Sequence, residues 1–308
     1  MQILFGVADA DDPVCDLIRQ LLAAHPQADA ELVICGPPTC PNAKVSTLTQ
    51  LERRAKHELL IISDADVRVP PDLLANVVVP LRDPAVGLVN CFYQLANPQT
   101  VAMRCEAVAI NADFWSQVLQ SRSLKPLDFA LGAVMATRAT ALRQIGGFAA
   151  LGDDLADDYQ LGHRIAATGA RIELSPVVVE CWEAPQHWRQ VWAHQLRWAR
   201  TIRACQPAPY FFSILSNATL WPLLWFGCLP TKTSLLGALA CIFIRRLTAA
   251  FNYSRLARGG NLLVPWLAMV KDIFGAVIWA QAFLGNHVTW RGVRYRVRPG
   301  GKLVKETI

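Results

Sequence analysis

The first two hundred residues alternate short apolar runs with longer stretches of helical periodicity. The apolar runs have strand length and lie at residues 3–7, 32–35, 59–62 and 86–92. The helical patterns lie near residues 13–24, 44–56, 72–82, 99–120 and 155–168. This alternation predicts an α/β fold with a doubly wound, mostly parallel sheet. Ligands of such sheets bind beyond the carboxyl ends of the strands, so the residues after each strand are the first candidates for functional residues.

The pattern changes near residue 206, where long apolar segments replace the alternation. Residues 209–229 carry no charge and are long enough to span a bilayer. Residues 233–250 and 262–284 are also apolar, although each contains a charged pair, Arg245-Arg246 and Lys271-Asp272. We therefore predict a catalytic domain over residues 1–205 and a membrane region over 206–308, with up to three apolar helices and a basic tail. The alternative is that these helices are buried in a soluble domain.

Composition and charge support a membrane location. Hydrophobic residues make up 53% and charged residues 18% of the 308-residue chain, whereas soluble domains carry roughly 25% charged residues. The tail 290–302 (WRGVRYRVRPGGK) is strongly basic and has no acid, which favours an anionic membrane surface and the cytosolic side. Three full spans would place it outside, so we expect one segment to be re-entrant or interfacial. No zinc-finger or RNA-binding signature is present, and nucleic acid is not an expected partner.

The cysteines predict no disulfide framework and no zinc site. There are nine of them, and none forms a C-x-x-C pair. Most lie in apolar surroundings, which is typical of small buried side chains in a reducing compartment.

Two carboxylates follow the third apolar run, in Asp64-Ala-Asp66. Carboxylates one residue apart at the carboxyl end of a buried strand can hold a hard divalent cation such as Mg²⁺ or Mn²⁺. That cation would bridge the oxygens of a diphosphate and neutralise the charge of the leaving group. Acidic pairs are also common in turns and helix caps, which is the alternative interpretation.

Two further residues lie where a nucleotide would bind in such a fold. Asp12 follows the first strand and precedes a proline, so it can cap a helix or help to bind the uridine, and the sequence leaves both roles open. Lys44 lies in a loop before a helix and can contact the diphosphate as a point charge.

An acidic cluster opens the helix predicted at 155–168. It contains Asp153, Asp154, Asp157 and Asp158, followed by a tyrosine. Glycosyl transfer with inversion needs one base to take the proton from the acceptor hydroxyl, and Asp158 is our candidate. Crowding by Asp157 and Asp154 should raise its proton affinity.

A tryptophan-rich segment near residues 185–205 predicts an amphipathic helix lying on the membrane. It contains His194, Arg197 and Trp198. Arg197 offers a guanidinium for the diphosphate, and Trp198 with His194 offers a flat polar and apolar surface for the acceptor.

The order of these features resembles the D, D, D, (Q/R)-x-x-R-W pattern of the ceramide glucosyltransferase family, to which bacterial hopanoid-linked glycosyltransferases are similar. The segments DADDP, PNAKVSTL, LADDY, QLRWARTIR and WRGVRYRVRPGG carry the resemblance from the first strand to the tail. It implies a GT-A-like fold, a UDP-sugar donor, a divalent cation, inversion and a lipid acceptor entering from the bilayer. Asp12, Asp64 and Asp158 would be the three aspartates, and Arg197 and Trp198 would end the motif.

The chain departs from the family pattern at two points. His194 stands where the pattern has Gln or Arg, and the family's N-terminal membrane helix and first strand do not precede residue 3. The resemblance implies a multi-pass membrane protein that transfers glucose or N-acetylglucosamine to a lipid hydroxyl. The composition suggests a bacterial inner membrane, with the catalytic domain facing the cytoplasm. A processive polysaccharide synthase and an inactive or truncated homologue are the alternatives. Residues 121–137, with Lys125, Asp128 and Gly132, are expected to line the sugar pocket.

Overall fold

A computed structural model describes residues 1–257, 264–290 and 292–306. The central sheet has the order β3–β6–β5–β7–β4. Its strands are β3 (Leu59–Ser63), β4 (Val67–Arg68), β5 (Val86–Leu95), β6 (Val134–Arg138) and β7 (Arg171–Cys181). A separate parallel pair contains β1 (Gln2–Val7) and β2 (Asp29–Ile34). A third, antiparallel sheet near the C-terminus contains β8 (His287–Trp290), β9 (Val293–Val297) and β10 (Leu303–Lys305).

Helices flank these sheets and fill the C-terminal third. They are α1 (Val14–Ala24), α2 (Ala43–Glu52), α3 (Leu73–Val78), α4 (Val101–Val108), α5 (Trp115–Leu124), α6 (Ala139–Gln144), α7 (Asp157–Ala167), α8 (Trp188–Cys205), α9 (Pro207–Phe212), α10 (Leu220–Cys228), α11 (Lys232–Leu256) and α12 (Val264–Ala282). The four predicted strands and the predicted helical stretches are therefore found, with shifts of a few residues at their ends.

The central sheet is mixed, which corrects the expectation of a mostly parallel sheet. β5 and β7 are parallel, but β6 is antiparallel to both β3 and β5, and β4 is antiparallel to β7. β3, β5 and β7 consequently run in one direction, and their carboxyl ends meet at one edge. The sequence pattern missed β6 because its apolar run is only three residues long before Thr137.

Both faces of the central sheet are covered. On β5, Leu88 and Phe92 pack into the core on the side of α7, while Val89 and Cys91 pack into the core on the side of α3. This explains why β5 reads as an unbroken apolar run without alternation. Burying each such large side chain stabilises the fold by about 1.5–3 kcal/mol.

The stretch predicted as one helix over residues 99–120 is interrupted. A π-helical turn, Ala109–Phe114, lies between α4 and α5. Asn111 within it is fully buried, and its side chain binds both backbone groups of Leu95 at 2.9 and 3.0 Å. The turn thus satisfies the backbone at the carboxyl end of β5, and an unbroken α-helix would place this amide elsewhere.

The C-terminal helices leave the prediction of up to three spans unconfirmed. Within the described residues one helix, α11, is long and apolar enough to cross a membrane. A second span exists only if Pro207–Ser216 and Leu220–Cys228, which are bent by 58°, count together. The third segment, of which residues 262 and 263 lie outside the described residues, forms α12 and packs against α4, α8 and α11.

The charges inside the apolar segments bind one another. Arg245 on α11 pairs with Asp272 on α12 at 2.8 Å and with Asp113 in the π-helical turn at 2.9 Å. Lys271 pairs with Asp272 at 3.0 Å and also with Asp113. Two acids and two bases therefore neutralise each other and fasten α11 and α12 to the rest of the protein. Removing one member of such a buried network typically costs about 3–5 kcal/mol.

The basic tail folds back on the acidic cluster. The N–H of Leu303 donates to Asp153 O at 2.7 Å, and the N–H of Leu155 donates to Gly301 O at 3.0 Å. Lys302 Nζ lies 3.3 Å from Asp154. We predicted this tail as part of the membrane region that begins at residue 206. In the structure, the β-sheet of the tail contacts the residues that precede α7. Arg291 lies outside the described residues.

Helix α7 depends on a glycine at its contact with the loop that precedes β6. A Cβ added at Gly162 would lie 2.3 Å from the backbone nitrogen of Ala130, which cannot move aside as a flexible side chain would. We expect Gly162→Ala to lower the free energy of unfolding by about 1–3 kcal/mol, measured as a lower thermal midpoint. Gly275→Ala is the matched control, because its Cβ would meet nothing within 4 Å. Equal midpoints for the two variants would contradict this packing.

Candidate active site

The two carboxylates after β3 lie where three strands end. The N–H of Asp64 donates to Ala133 O at 3.1 Å, which continues the pairing of β3 with the residues before β6. The backbone oxygen of Asp66 accepts from Trp182 N–H at 2.9 Å, just beyond β7. These bonds fix the Asp64–Asp66 turn from both sides. The predicted position of the acidic pair, at the carboxyl edge of the sheet, is the position that the structure shows.

Lys44 is an internal partner of this acidic edge and not a solvated loop residue. Its Nζ lies 2.5 Å from Asp64 Oδ1 and 3.9 Å from Asp157 Oδ2. Helix α2 presents it there because Asn42 caps the helix, accepting from Val45 N–H at 3.1 Å. The ammonium therefore connects the acidic turn after β3 with the acidic cluster of α7.

Asn42 joins the start of α2 to the acidic cluster of α7 by hydrogen bonds. Its side chain is fully buried, and Nδ2 donates to Asp154 O at 2.9 Å and to Asp157 Oδ1 at 3.1 Å. The sequence analysis did not name Asn42 as a site residue. An Asn immediately before a helical stretch is a capping signal, but its second contact across more than a hundred residues has no local signature.

Asp158 occupies the first turn of α7, beside a glycine. A Cβ added at Gly132 would lie 2.6 Å from Asp158 Oδ2, so only glycine leaves room for this carboxylate. Burial and, next, the charge of Asp157 raise the pKa of Asp158 to about 6, although Lys44 acts in the opposite direction. A carboxylate with this pKa can hold a proton taken from an alcohol and still be ionised at neutral pH.

The predicted contribution of Asp154 to this shift is not found. Asp154 is fully buried, but its carboxylate pairs with Arg164 at 2.6 Å and with Lys302 at 3.3 Å. These two cations neutralise it locally, and the negative charge that acts on Asp158 comes from Asp157 and Asp64 instead.

The edge of the sheet carries more negative charge than its cations balance. Burial alone would lower the pKa of Lys44, but Asp157 and Asp64 outweigh that effect and hold it above its usual value. Partial burial, followed by the charge of Asp64, raises the pKa of Asp66. A further cation at this edge would be bound favourably.

The donor set fits a divalent cation whose coordination is completed by substrate. Among the described residues no group of three or more His, Cys, Asp or Glu side chains is arranged to hold a metal ion. Magnesium, however, is commonly bound by one or two carboxylates together with substrate phosphates and water. Asp64 and Asp66 offer two such carboxylates, and the raised pKa of Asp66 indicates that a further cation would be bound favourably there.

Helix α8 supplies the other side of the site. Burial lowers the pKa of Arg197, and the acids that oppose this effect are, in order, Glu183, Asp158 and Glu106. Trp198 is half-buried against the apolar cluster that contains Leu95 and reaches α12. The predicted helix is thus present as Trp188–Cys205, and its position on a membrane surface stays a prediction.

His194 lies on the same face of α8. Its ring meets that of Trp198 edge-on, with centroids 4.6 Å apart, and its Nδ1 lies 2.8 Å from Glu106 Oε1. The sequence analysis named neither Glu106 nor Glu183, because single glutamates within helical or loop segments carry no distinguishing pattern. Burial raises the pKa of Glu183, and the charge of Glu106 adds to this effect.

Asp12 is bonded separately from this cluster. It is exposed, and its Oδ1 accepts from Val14 N–H at 2.9 Å at the start of α1. Within the described ranges no hydrogen bond or ion pair joins it to Lys44, Asp64 or Asp158. This is a contact with the residue two places ahead, while the N-cap position of α1 is Pro13 and has no side-chain cap hydrogen bond. The role of Asp12 in nucleotide binding stays a prediction. Lys125 and Asp128 pair with each other at 2.8 Å in the loop before β6.

A buried carboxylate of raised pKa lies beside a lysine and an acidic turn at the carboxyl edge of a mixed α/β sheet, an arrangement compatible with glycosyl transfer. Comparison with known proteins agrees: residues 1–303 match the family described as glycosyl transferase family 21, and the chain belongs to that family.

Two curated relatives support the resemblance to ceramide glucosyltransferases. Ceramide glucosyltransferase 1 of Caenorhabditis elegans is 22% identical over 183 residues, which are 56% of this chain and 37% of that protein. Ceramide glucosyltransferase of Candida albicans (strain SC5314) is 31% identical over 92 residues, 27% of this chain and 17% of that protein. The matches therefore span well under half the length of these relatives.

Two solved structures are similar to this chain at a low level. GalNAc-T7, crystallised with UDP, GalNAc and Mn²⁺, has a TM-score of 0.43 and 12% identity, over 70% of this chain and 44% of that one. TarS of S. aureus in complex with UDP-GlcNAc has a TM-score of 0.39 and 11% identity, over 100% of this chain and 90% of that one. Likeness at this level carries no conclusion about ligands of this chain.

The charges around Asp158 predict opposite responses to two substitutions. Lys44→Gln removes a cation and should raise the pKa of Asp158 above about 6, whereas Asp157→Asn removes an anion and should lower it. Infrared titration of the carboxyl bands, with Asp158→Asn to assign the signal, measures both shifts. Asp153→Asn is the control, since Asp153 is absent from the charges acting on Asp158. Shifts in the same direction would show that the arrangement is wrong.

Proposed function

We propose that this protein transfers glucose or N-acetylglucosamine from a UDP-sugar to the hydroxyl of a membrane lipid, with inversion at the anomeric carbon. The observation that carries the proposal is the position of Asp158. It is a carboxylate with a pKa of about 6, and its charge interacts with those of Lys44 and Asp64 at the sheet edge and with that of Arg197 on α8.

Asp158 acts as the base in this proposal. The acceptor oxygen attacks the anomeric carbon, its proton passes to the Asp158 carboxylate, and the bond from that carbon to the diphosphate oxygen breaks. The UDP leaves with the bonding electron pair. The raised pKa matches the task, because a base is most effective when its pKa lies near the working pH.

The donor diphosphate is proposed to bind between Lys44, Asp64 and Arg197. Lys44 and Arg197 supply cationic donors to its oxygens. Asp64 and Asp66 would hold Mg²⁺ or Mn²⁺, which neutralises charge on the leaving diphosphate when it is bound. Asp12 would contribute on the nucleotide side.

The acceptor is proposed to approach along α8 from a bilayer. The supporting surface is apolar and exposed on the C-terminal helices. Its members on α11 include Leu235, Leu236, Leu239, Phe243, Ile244, Leu247 and Phe251. An exposed apolar face of this extent marks a membrane or an interaction surface. Arg294, Arg296 and Arg298 on the C-terminal sheet are exposed and suit anionic headgroups. A lipid with a free hydroxyl, either a sphingolipid or a hopanoid, fits the resemblance of the chain.

The direct test is transfer of radiolabel from UDP-glucose and UDP-N-acetylglucosamine into lipid extracts of membranes that contain this protein. A labelled lipid identifies the donor, and mass analysis identifies the acceptor. A labelled polymer would favour a processive synthase. Absence of product with either donor, in membranes where the folded protein is detected, would favour an inactive homologue and contradict the proposal.

The base predicts a defined dependence on pH. Asp158 is competent only when deprotonated, so kcat/KM should rise through about pH 6 and then level off. Asp158→Asn should reduce transfer by at least about 10²-fold, within the range that general bases contribute. UDP-sugar binding, measured by calorimetry, should remain within a few-fold. Retained turnover, or an acid limb that persists in Asp158→Asn, would exclude this residue as the base.

The acidic turn predicts a metal-dependent donor affinity. Asp64→Asn removes a ligand and also leaves the ammonium of Lys44 without its closest partner, so donor KM should rise about tenfold or more, as expected for loss of a charged hydrogen bond. Asp66→Asn should raise the Mg²⁺ concentration needed for half-maximal rate with less effect on Lys44. Asp72→Asn, at an exposed helix start, is the control. Metal-independent rates in the unmodified protein would contradict this role.

A further inference from the structure

Glu106 is a buried carboxylate that binds two neighbouring residues of α8 through one oxygen. Its side chain is fully inaccessible to solvent. Oε1 lies 2.8 Å from His194 Nδ1 and accepts from Gln195 Nε2 at 2.7 Å. The other oxygen, Oε2, has no hydrogen-bond partner among the described residues.

Such a group is costly to keep in a protein interior. Burying a carboxylate is unfavourable unless its oxygens are bonded, and an apolar residue of similar size usually packs at lower cost. α4 is otherwise lined by buried apolar residues such as Met103, Ala107 and Val108. A lone acid among them, with one oxygen unpaired, indicates a role other than packing.

The contacts of Glu106 lead directly to the acceptor side of the site. His194 is held by Glu106 on one side and meets the Trp198 ring on the other, with centroids 4.6 Å apart. The charge of Glu106 also acts on Arg197, raising its pKa against the effect of burial. α4 and α8 are thereby joined at the turn of α8 that carries Arg197 and Trp198.

We propose that Glu106 is a positioning residue that orients His194 and, through it, Trp198 for the lipid acceptor. This inference rests on the proposed function, since it assigns Trp198 to the acceptor. It also explains how His194 can occupy the first position of the motif, where Gln or Arg is expected. The carboxylate of Glu106 holds the imidazole ring in a fixed orientation. Glu106 does not touch the reacting atoms in this scheme.

The first experiment separates acceptor from donor effects. With UDP-glucose as donor and N-hexanoyl-sphingosine as acceptor, Glu106→Gln should raise the KM for the acceptor about tenfold or more, with the KM for UDP-glucose changed less than about twofold. His194→Phe, which keeps a ring but cannot bond to Glu106, should do the same, and the double variant should be no worse than either single variant, because both remove the contact between residues 106 and 194. Effects that multiply in the double variant, or a loss confined to donor KM, would overturn the inference.

Glu52→Gln is the matched control. Glu52 accepts from Phe148 N–H at 3.0 Å, away from α8, so this variant should leave both KM values unchanged. If Glu106→Gln does not fold, His194→Phe alone tests the contact, because His194 is the more exposed partner.

A second readout does not depend on turnover. In protein labelled with ¹⁵N-histidine and ¹⁵N-tryptophan, the His194 ring and Trp198 indole signals, assigned by His194→Gln and Trp198→Phe, should shift in Glu106→Gln but not in Glu52→Gln. Unshifted signals overturn the inference whether or not the enzyme is active. Shifted signals without transfer by the unmodified protein would support the positioning and contradict the proposed function.

Discussion

The site depends on one ammonium group placed among carboxylates. Lys44 reaches Asp64 and Asp157 at once, and it can do so only if α2, β3 and α7 are held in a fixed arrangement. The cap by Asn42 aims α2, the ladder between β3 and β6 fixes Asp64, and Gly132 leaves space for α7 to approach. Each of these local features has an ordinary structural cause. Together they keep the carboxylates of Asp64 and Asp157 within reach of the same ammonium group.

The distribution of buried charge distinguishes structural from functional acids. Asp154 is matched by Arg164 and Lys302, and Asp113 and Asp272 are matched by Arg245 and Lys271. The acids at the sheet edge share a single close ammonium. Excess negative charge is therefore found at the sheet edge, and again at Glu106 and Glu183 near α8. Strong perturbation of pKa values at such a place is typical of functional sites.

The sequence revealed those parts of this arrangement that have local signatures. A strand followed by Asp64 and Asp66, and an acid-rich helix start at Asp158, were recognisable because their residues are adjacent in the chain. The mixed direction of the sheet was not recognisable, because the position of a short strand such as β6 is determined by its pairing with the strands on both sides. Asn42 and Glu106 were missed because their partners lie 115 and 88 residues away in the chain, and only the fold brings them together.

The network of Arg245, Lys271, Asp113 and Asp272 has a consequence for geometry. It joins α11 and α12 to a turn that also completes β5, the central strand of the sheet. α11 therefore has no freedom to slide or tilt apart from the catalytic domain, as a helix on a flexible linker would. In a bilayer, this rigid mounting would set the height of Asp158 above the hydrocarbon boundary. The protein structure, and not fluctuations of the domain, would then determine the distance that a lipid hydroxyl must move out of the membrane to react.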